Sequence, residues 1–560
     1  MLPSPMTVYI NWAAYDELSD SIPLTEELAM RQLHELLRLR KAGVRLDCYL
    51  MDAFWYQPDG AYRTWRKPHW PQGPDRWFDS CLENGVKPGL WFSGNGLCHL
   101  DLAPEWRGSF DPENRALCLF HGGFLPHWMD TVRLWHDRGA RVFKLDFFNF
   151  QAAPESVKRR LLASEIRGRN IEALRQALAV LRDERPDIMF LGYNGLEEGD
   201  TQSKTDLPFR KTIDTRWLDA FDSIYCGDPR PADVPAMNFW RSKDVYSDHM
   251  VKVYERNGVP LARIDNSSFM IGVTGTCYRR GTAAWKGMLI LSLARGGWVN
   301  TYYGNLDLLD ADDAAWFAKV QALYLRLQAF GRMATFGGVP GEGRPYGYLA
   351  EDADGALLTV VNPAQAVEAL RLPRAEGGRL LFHDAGHVPA LSGDHLTLGP
   401  EQMAVVGTGR YAAPEHDLGR QDDVTIPLSI TPLQAEFRTT GEKELSATLT
   451  PPADGWLRVI FRQTDKAGRA KRSTGGSPPN GTSLATIFRI ESRQGGKLIP
   501  ARIEYDKMIW SGLSWAVAEF KLENLQAGEP LTVHCHSAEK AEASLRAELF
   551  HVVYAEAPRS

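Results

Sequence analysis

From about residue 7 to 330, short apolar runs alternate with longer segments whose apolar residues recur at helical spacing, and the pattern repeats eight times. The runs predict strands at Val8–Trp12, Leu46–Phe54, Lys87–Phe92, Arg141–Phe147, Ile188–Tyr193, Ser223–Cys226, Pro260–Ile264 and Trp298–Tyr303. The intervening segments predict helices, such as Thr25–Ala42, where Ala29, Leu33, Leu36 and Leu37 fall at helical spacing, and Glu155–Arg185, rich in Leu, Ala and Arg. Eight strand–helix pairs in roughly 330 residues fit a (β/α)8 barrel with some long loops. A doubly wound open sheet would want a phosphate-binding glycine turn after its first strand, and Asn11-Trp12-Ala13-Ala14-Tyr15 contains none.

Past about residue 335 the pattern shortens to alternating strands such as Tyr346–Ala350 and Ala356–Val361, separated by turn residues. The chain therefore reads as α/β: a catalytic barrel over 1–332, a small C-terminal antiparallel β-sandwich over 333–412, and a second all-β sandwich module over 424–560. The polar stretch from Pro414 to Asp423 reads as the linker between the last two. Ser473 to Gly481 reads as a loop, and no solenoid repeat is present.

Composition narrows the partners. With 560 residues, 44% of them hydrophobic and 24% charged, disorder is not the default. A net charge of −6 supplies no basic field for a phosphate backbone, so a nucleic-acid partner is not expected. The N-terminus shows no basic and apolar leader, and the longest apolar stretch, Met288 to Leu293, falls far short of the roughly 20 residues of a membrane span. Seven cysteines without a CxxC pair read as reduced thiols and point to the cytoplasm.

In a barrel of this kind the chemistry sits where strands end and loops begin. Here those ends carry Asp52 beside Trp55, Trp91, Lys144 with Asp146, Asn194 with Glu197 and Glu198, Asp228, and Asp265 with Asn266. A single Asp in such a place is more often a turn former or helix cap, and it is the coincidence at many ends that points to a site. Glycosidic bonds are broken by two carboxyl groups, one protonating the leaving oxygen and one stabilising or attacking the oxocarbenium ion, while aromatics stack on sugar faces. Lys144 and Asp146 stand two apart on a strand, so both point to one face, which is costly on a buried strand unless the pair has work to do.

Tyr49-Leu50-Met51-Asp52-Ala53-Phe54-Trp55, Trp65 through Trp70-Pro71-Gln72-Gly73, Lys87-Pro88-Gly89-Leu90-Trp91-Phe92 and Phe143-Lys144-Leu145-Asp146-Phe147, in that order, resemble the α-galactosidase superfamily, clan D of the glycoside hydrolases, and family 36 more closely than family 27. The resemblance covers roughly residues 8 to 150. It implies that Asp146 is the nucleophile of a covalent glycosyl-enzyme, that Lys144 hydrogen-bonds sugar hydroxyls, and that Asp52 clamps a hydroxyl near C4 or C6. It places the acid/base at the end of the sixth strand, where Ile224-Tyr225-Cys226-Gly227-Asp228-Pro229-Arg230-Pro231 makes Asp228 the candidate and Asp222 the fallback. Trp12, Trp55, Trp91, Asn194 and Arg230 complete the expected substrate contacts. In a retaining site the two carboxyl groups stand about 5–5.5 Å apart.

The departures are as informative. The family usually has two consecutive acids on the second strand, and Ala53 replaces the second, removing one partner for galactose hydroxyls. A cysteine- and glycine-rich loop is replaced by Gly192 to Asp200, the arginine before the acid/base is absent with only Arg216 and Arg230 nearby, and the large N-terminal β-sandwich of family 36 does not precede the barrel. The chain reads as a divergent member.

Several features have plainer readings. Glu197 and Glu198 read as a solvated loop pair, with a hydroxyl-binding role or an alternative acid as the sharper option. Arg279 and Arg280 could reach an anionic substituent or merely flank a helix. Trp456, Trp510 and Trp515 could form a sugar platform, although core packing or an oligomer-forming role is the simpler account. His99 and His121 lack zinc-ligand spacing, and neither a Gly-x-Ser-x-Gly elbow nor a Walker-type loop occurs, so neither a metal nor an organic cofactor is expected. The leading reading is a retaining exo-α-glycosidase acting on terminal α-galactosides of an oligosaccharide or glycoconjugate. An α-N-acetylgalactosaminidase, a transglycosylase and a non-catalytic carbohydrate-binding protein are the alternatives, and self-association stays open.

Overall fold

The computed structural model describes residues 4–12, 24–53, 55–97, 101–198, 212–265, 269–273, 281–441, 443–450, 454–472, 488–504, 513–523, 528–538 and 543–556. One parallel sheet is built from Met6–Ile10, Cys48–Met51, Lys87–Ser93, Val142–Asp146, Met189–Gly192 and Ser223–Tyr225 as its first six strands, with Val299–Gly304 as its eighth. The eighth strand pairs in parallel with the first, Met6 opposite Val299 through Ile10 opposite Tyr303, which joins the two ends of the chain order as a barrel requires.

The seventh position is shared by two short pieces. Ile264–Asp265 pairs with the sixth strand and Phe269–Ile271 with the eighth. This moves the seventh strand past its expected place at Pro260–Ile264. Pro260 is extended, Leu261–Arg263 turn as a 3-10 helix, and pairing begins only at Ile264. The Arg263 guanidinium anchors that turn by donating to the Asp222 carbonyl at 2.6 Å and the Leu218 carbonyl at 2.7 Å.

The outer helices follow the sequence signals. Glu26–Lys41 starts at Thr25, whose hydroxyl accepts the Leu28 N–H at 3.1 Å, carries Glu26 and Glu27 in its first turn, and ends on Arg38, Arg40 and Lys41, all favourable to the helix dipole. It buries Ala29, Leu33, Leu36 and Leu39 against the sheet. Among the described residues no helix is long and apolar enough to cross a membrane. The five described cysteines, Cys48, Cys81, Cys118, Cys226 and Cys535, are buried and unbridged.

After the last barrel helix, Ala311–Phe330, the chain forms a six-stranded sheet in the order Arg332–Gly337, Tyr346–Asp352, Gly355–Val361, Met403–Gly409, Arg379–Gly386 and Gly419–Ile426, with a separate three-stranded sheet. The stretch read as a linker is thus partly a strand, running parallel to Arg379–Gly386. Its polarity serves the barrel: Gln421 Oε1 accepts the Gly287 N–H at 2.7 Å and Asp423 Oδ2 the Ala284 N–H at 2.8 Å, satisfying the free donors at the start of helix Trp285–Ala294. The last module is two five-stranded sheets with their own apolar core, which also takes in Met237 and Phe239 from the barrel. Trp515 lies in that core, Trp456 packs edge-on to Tyr554, and Trp510 lies outside the described residues.

A buried charge fastens the barrel to the first β domain. Asp248, on helix Phe239–Arg256, accepts Arg295 Nε at 2.7 Å and the hydroxyls of Tyr348, at 2.7 Å, and Tyr346. Removing one partner of such a pair strands the other charge in a water-free place. Asp248→Asn is therefore expected to destabilise the protein by about 3–5 kcal/mol, read as a fall in thermal unfolding midpoint, whereas a surface change such as Asp312→Asn leaves it within about 0.5 kcal/mol.

Candidate active site

Lys144 and Asp146 leave the fourth strand on one face, as the two-residue repeat of a strand requires. The Lys144 ammonium donates to Asp52 Oδ2 at 2.8 Å, with only 5% and 4% of the two side chains exposed. It also lies 4.2 Å from the centre of the Tyr193 ring and 5.8 Å from that of Tyr303. Burial works against this charge, but Asp52, with Tyr303 and Asp146, more than offsets it, so Lys144 holds its proton more tightly than a free lysine. Asp52 is itself fixed: its N–H donates to Asn11 Oδ1 at 2.7 Å, and its Oδ1 accepts the Ala53 N–H at 2.8 Å.

The Asp146 carboxylate is held asymmetrically. Its Oδ1 accepts three N–H donors, from Phe147 at 2.9 Å, the Asn194 backbone at 3.1 Å and Asn194 Nδ2 at 2.9 Å. Among the described residues Oδ2 accepts only the Trp91 indole N–H, at 3.2 Å. Burial pushes the Asp146 carboxyl above the usual carboxylate range, and Lys144, Asn194 and Trp91 oppose that push without cancelling it.

A row of tyrosines continues round the mouth. The Tyr193 hydroxyl donates to Asp265 Oδ2 at 2.6 Å and touches the Tyr303 hydroxyl at 2.8 Å, while Thr301 donates to Asp265 Oδ1 at 2.9 Å. The Tyr193 ring stacks on Tyr225 at 4.4 Å, and the Tyr225 hydroxyl donates to Asp228 Oδ1. Burial and the Asp228 carboxylate push the Tyr225 phenol up, keeping it a donor. Arg230 stands 3.8 Å from Asp228 Oδ2, both side chains about one-third exposed at 33% and 32%. The structure thus links Asp52, Lys144, Tyr193, Tyr225 and Asp228 by successive contacts, with Asp146 beside Lys144.

Not every expected residue joins this set. Trp55 is wholly buried in an aromatic cluster with Tyr56, Trp65 and Trp135, and its indole N–H donates to the Trp91 carbonyl at 3.0 Å, so it has no face to offer a sugar. Trp91 is nearly as buried, stacked on Tyr56, and serves the site through its N–H. Trp12 is half-buried against the barrel core at the end of the first strand. Asp222, the fallback acid, precedes the sixth strand, away from the mouth, and is held by Arg182 and by the Phe190 N–H at 2.8 Å. Arg216 is paired with Asp214 in a turn before the same strand. Glu197 is buried rather than solvated and accepts the Gly195 N–H at 3.0 Å. Asn266, Arg279 and Arg280 lie outside the described residues. Sequence reading missed Tyr193, Tyr225, Tyr303 and Thr301, whose signal is a hydroxyl residue repeatedly at or near a strand's end. Among the described residues no three His, Cys, Asp or Glu side chains are grouped to hold a metal ion.

No protein-family model matches the chain, and no curated protein does. Its fold is matched among solved structures. The α-galactosidase of Lactobacillus brevis superposes with a TM-score of 0.50 at 13% identity, over 73% of this chain and 55% of its own. The chain shares its fold with that enzyme. A family 36 α-galactosidase of Geobacillus stearothermophilus is similar at 15% identity and TM-score 0.49, over 72% of this chain and 55% of that one. A family 27 β-L-arabinopyranosidase of the same organism is 13% identical, TM-score 0.46, over 72% of this chain and 96% of that one. The chain spans about half the length of the α-galactosidases it matches.

The geometry has a direct consequence for titration. A carboxyl whose folded pKa is raised keeps its proton in a pH range where the unfolded chain, at about 3.9, has lost it, so its ionisation lowers stability as pH rises through that window. Asp146 is expected to titrate above an ordinary Asp in carboxyl-carbon NMR, and Asn194→Ala, which removes an opposing donor, to move it higher still. A fall in that midpoint on Asn194→Ala would contradict the assignment of Asn194 as a donor to the ionised form.

Proposed function

We propose that this protein is a retaining exo-α-glycosidase acting on terminal α-galactosides or close relatives in an oligosaccharide or glycoconjugate. The observation that carries the proposal is the asymmetric seat of Asp146. With Oδ1 saturated by three N–H groups and Oδ2 held by one, Oδ2 keeps lone-pair density for attack on an anomeric carbon. Partial desolvation leaves that oxygen more basic than a free carboxylate, while Lys144 and the donors keep it ionisable.

In this mechanism Asp146 attacks the anomeric carbon as Asp228 gives its proton to the leaving oxygen, forming a glycosyl ester. Asp228, now a carboxylate, then takes a proton from water, which displaces Asp146 and returns the α-configured product. Tyr225 orients the Asp228 carboxyl, and Arg230 supplies a cation when it is ionised. Lys144 and Asp52 face the same space as Asp146 and would meet sugar hydroxyls. With Ala53 in place of a second acid, one hydroxyl partner is missing, which favours screening sugars beyond galactose.

The test is hydrolysis of aryl α-galactoside, α-N-acetylgalactosaminide, α-glucoside and β-L-arabinopyranoside by wild type and by Asp146→Ala, with azide added to the variant. One sugar is expected to turn over. Its rate in the variant should fall below about a thousandth, a loss of roughly 4 kcal/mol of transition-state stabilisation, and azide should restore part of it as the inverted glycosyl azide. An Asp146→Ala enzyme that keeps wild-type turnover would refute the nucleophile assignment. Binding of a sugar with no turnover of any substrate would favour a carbohydrate-binding role.

A further inference from the structure

The segment that follows Asp228 is held from two sides, by Ser242 of the barrel helix Phe239–Arg256, which bonds Ala232 at 3.1 and 3.2 Å and Val234 at 3.1 Å, and by the last β module. Arg472, of that module, donates to the Pro231 carbonyl at 3.0 Å and pairs with Asp233 at 3.0 Å, with 6% and 10% of the two side chains exposed. Trp515 donates its indole N–H to the Ala232 carbonyl at 2.8 Å, and Ser514 its hydroxyl to Asp233 at 2.7 Å. Four residues further on, Met237 sits in the module's own apolar core. Pro229, Pro231 and Pro235 restrict the backbone between these anchors, so a displacement at residues 231–233 is passed on to Asp228 rather than absorbed.

The contacts are buried, directional and numerous for a link between a barrel loop and a terminal module. Asp228, in contrast, is one-third exposed and tied to the barrel through the Tyr225 hydroxyl, while Arg230, two residues further along the same loop, stands 3.8 Å from it. General acid catalysis needs the proton donor within hydrogen-bond reach of the leaving oxygen, so a loop held in place at only one end would sample unproductive positions.

We propose that the last β module is a positioning element of the active site: Arg472 and Trp515 clamp the loop at residues 231–233 and thereby set where Asp228 meets the leaving group. This rests on the reading of Asp228 as acid/base. It assigns the module a role in catalysis without requiring it to bind sugar. Arg472 and Trp515 are positioning residues, since they act on substrate only through Asp228.

Acid assistance matters most for poor leaving groups, which separates positioning from general loss of structure. For phenyl and 2,4-dinitrophenyl α-galactosides, Arg472→Met is expected to lower kcat/KM for the phenyl substrate about tenfold more than for the dinitrophenyl one, with Asp228→Ala showing the same pattern more strongly and Arg472→Lys recovering part of the loss. A loss equal for both substrates, or none, overturns the proposal. A flat leaving-group response in Asp228→Ala instead overturns the acid/base reading beneath it. Hydrogen exchange tests the clamp without any substrate. Segment 227–238 is expected to exchange about tenfold faster in Arg472→Met and Trp515→Phe while the barrel strands keep their protection, and unchanged exchange there in both variants overturns the proposal.

Discussion

The buried ammonium of Lys144 is the constraint around which the site is arranged. A lysine with 5% of its side chain exposed must have its charge compensated nearby, and Asp52 at 2.8 Å, with the faces of Tyr193 and Tyr303, supplies that compensation. Meeting that requirement fixes where the second, fourth, fifth and eighth strands end relative to one another. Asp146, two residues beyond Lys144 on the same face, inherits a position next to a fixed positive charge. Its remaining surroundings, Trp91 and Asn194, come from the third and fifth strands on either side.

The C-terminal β domains extend the same logic outward. Glu401, on the first of them, is buried and accepts the backbone N–H groups of Met237 at 2.7 Å and Asn238 at 2.9 Å, while Arg458 of the last module reaches it at 3.2 Å. Barrel, first β domain and last module therefore meet at one carboxylate, a few residues from the loop that carries Asp228. Arg458 is in turn paired with Glu519 at 2.8 Å, so the junction is a network of compensated charges. A fold joined this way fixes its domains through directional contacts.

What the sequence made legible follows from its periodicities. Seven strands lay at or within a few residues of their predicted places because buried parallel strands are short apolar runs bounded by helices, and Lys144 with Asp146 stood out because charge on such a run is rare. The seventh strand was misplaced because Pro260–Ile264 is apolar enough to imitate a strand while Pro260 begins a turn. Trp55 was assigned to substrate because its neighbour Asp52 faces the site. Its own side chain points into the aromatic cluster outside the sheet, which depends on long-range packing with Trp135. The strand Gly419–Ile426 was hidden by polar residues whose partners, Ala284 and Gly287, lie more than a hundred residues earlier. The tyrosine row is equally non-local, since Tyr193, Tyr225 and Tyr303 come from the ends of three different strands.

Covalent trapping addresses the central claim most directly. Incubation with the 5-fluoro glycosyl fluoride of the sugar that is turned over, followed by mass spectrometry of the digested protein, reads out which side chain carries the glycosyl group. The account predicts a single label on Asp146, lost in Asp146→Ala. Labelling of a different carboxylate, or turnover that gives a product of inverted anomeric configuration, would contradict it.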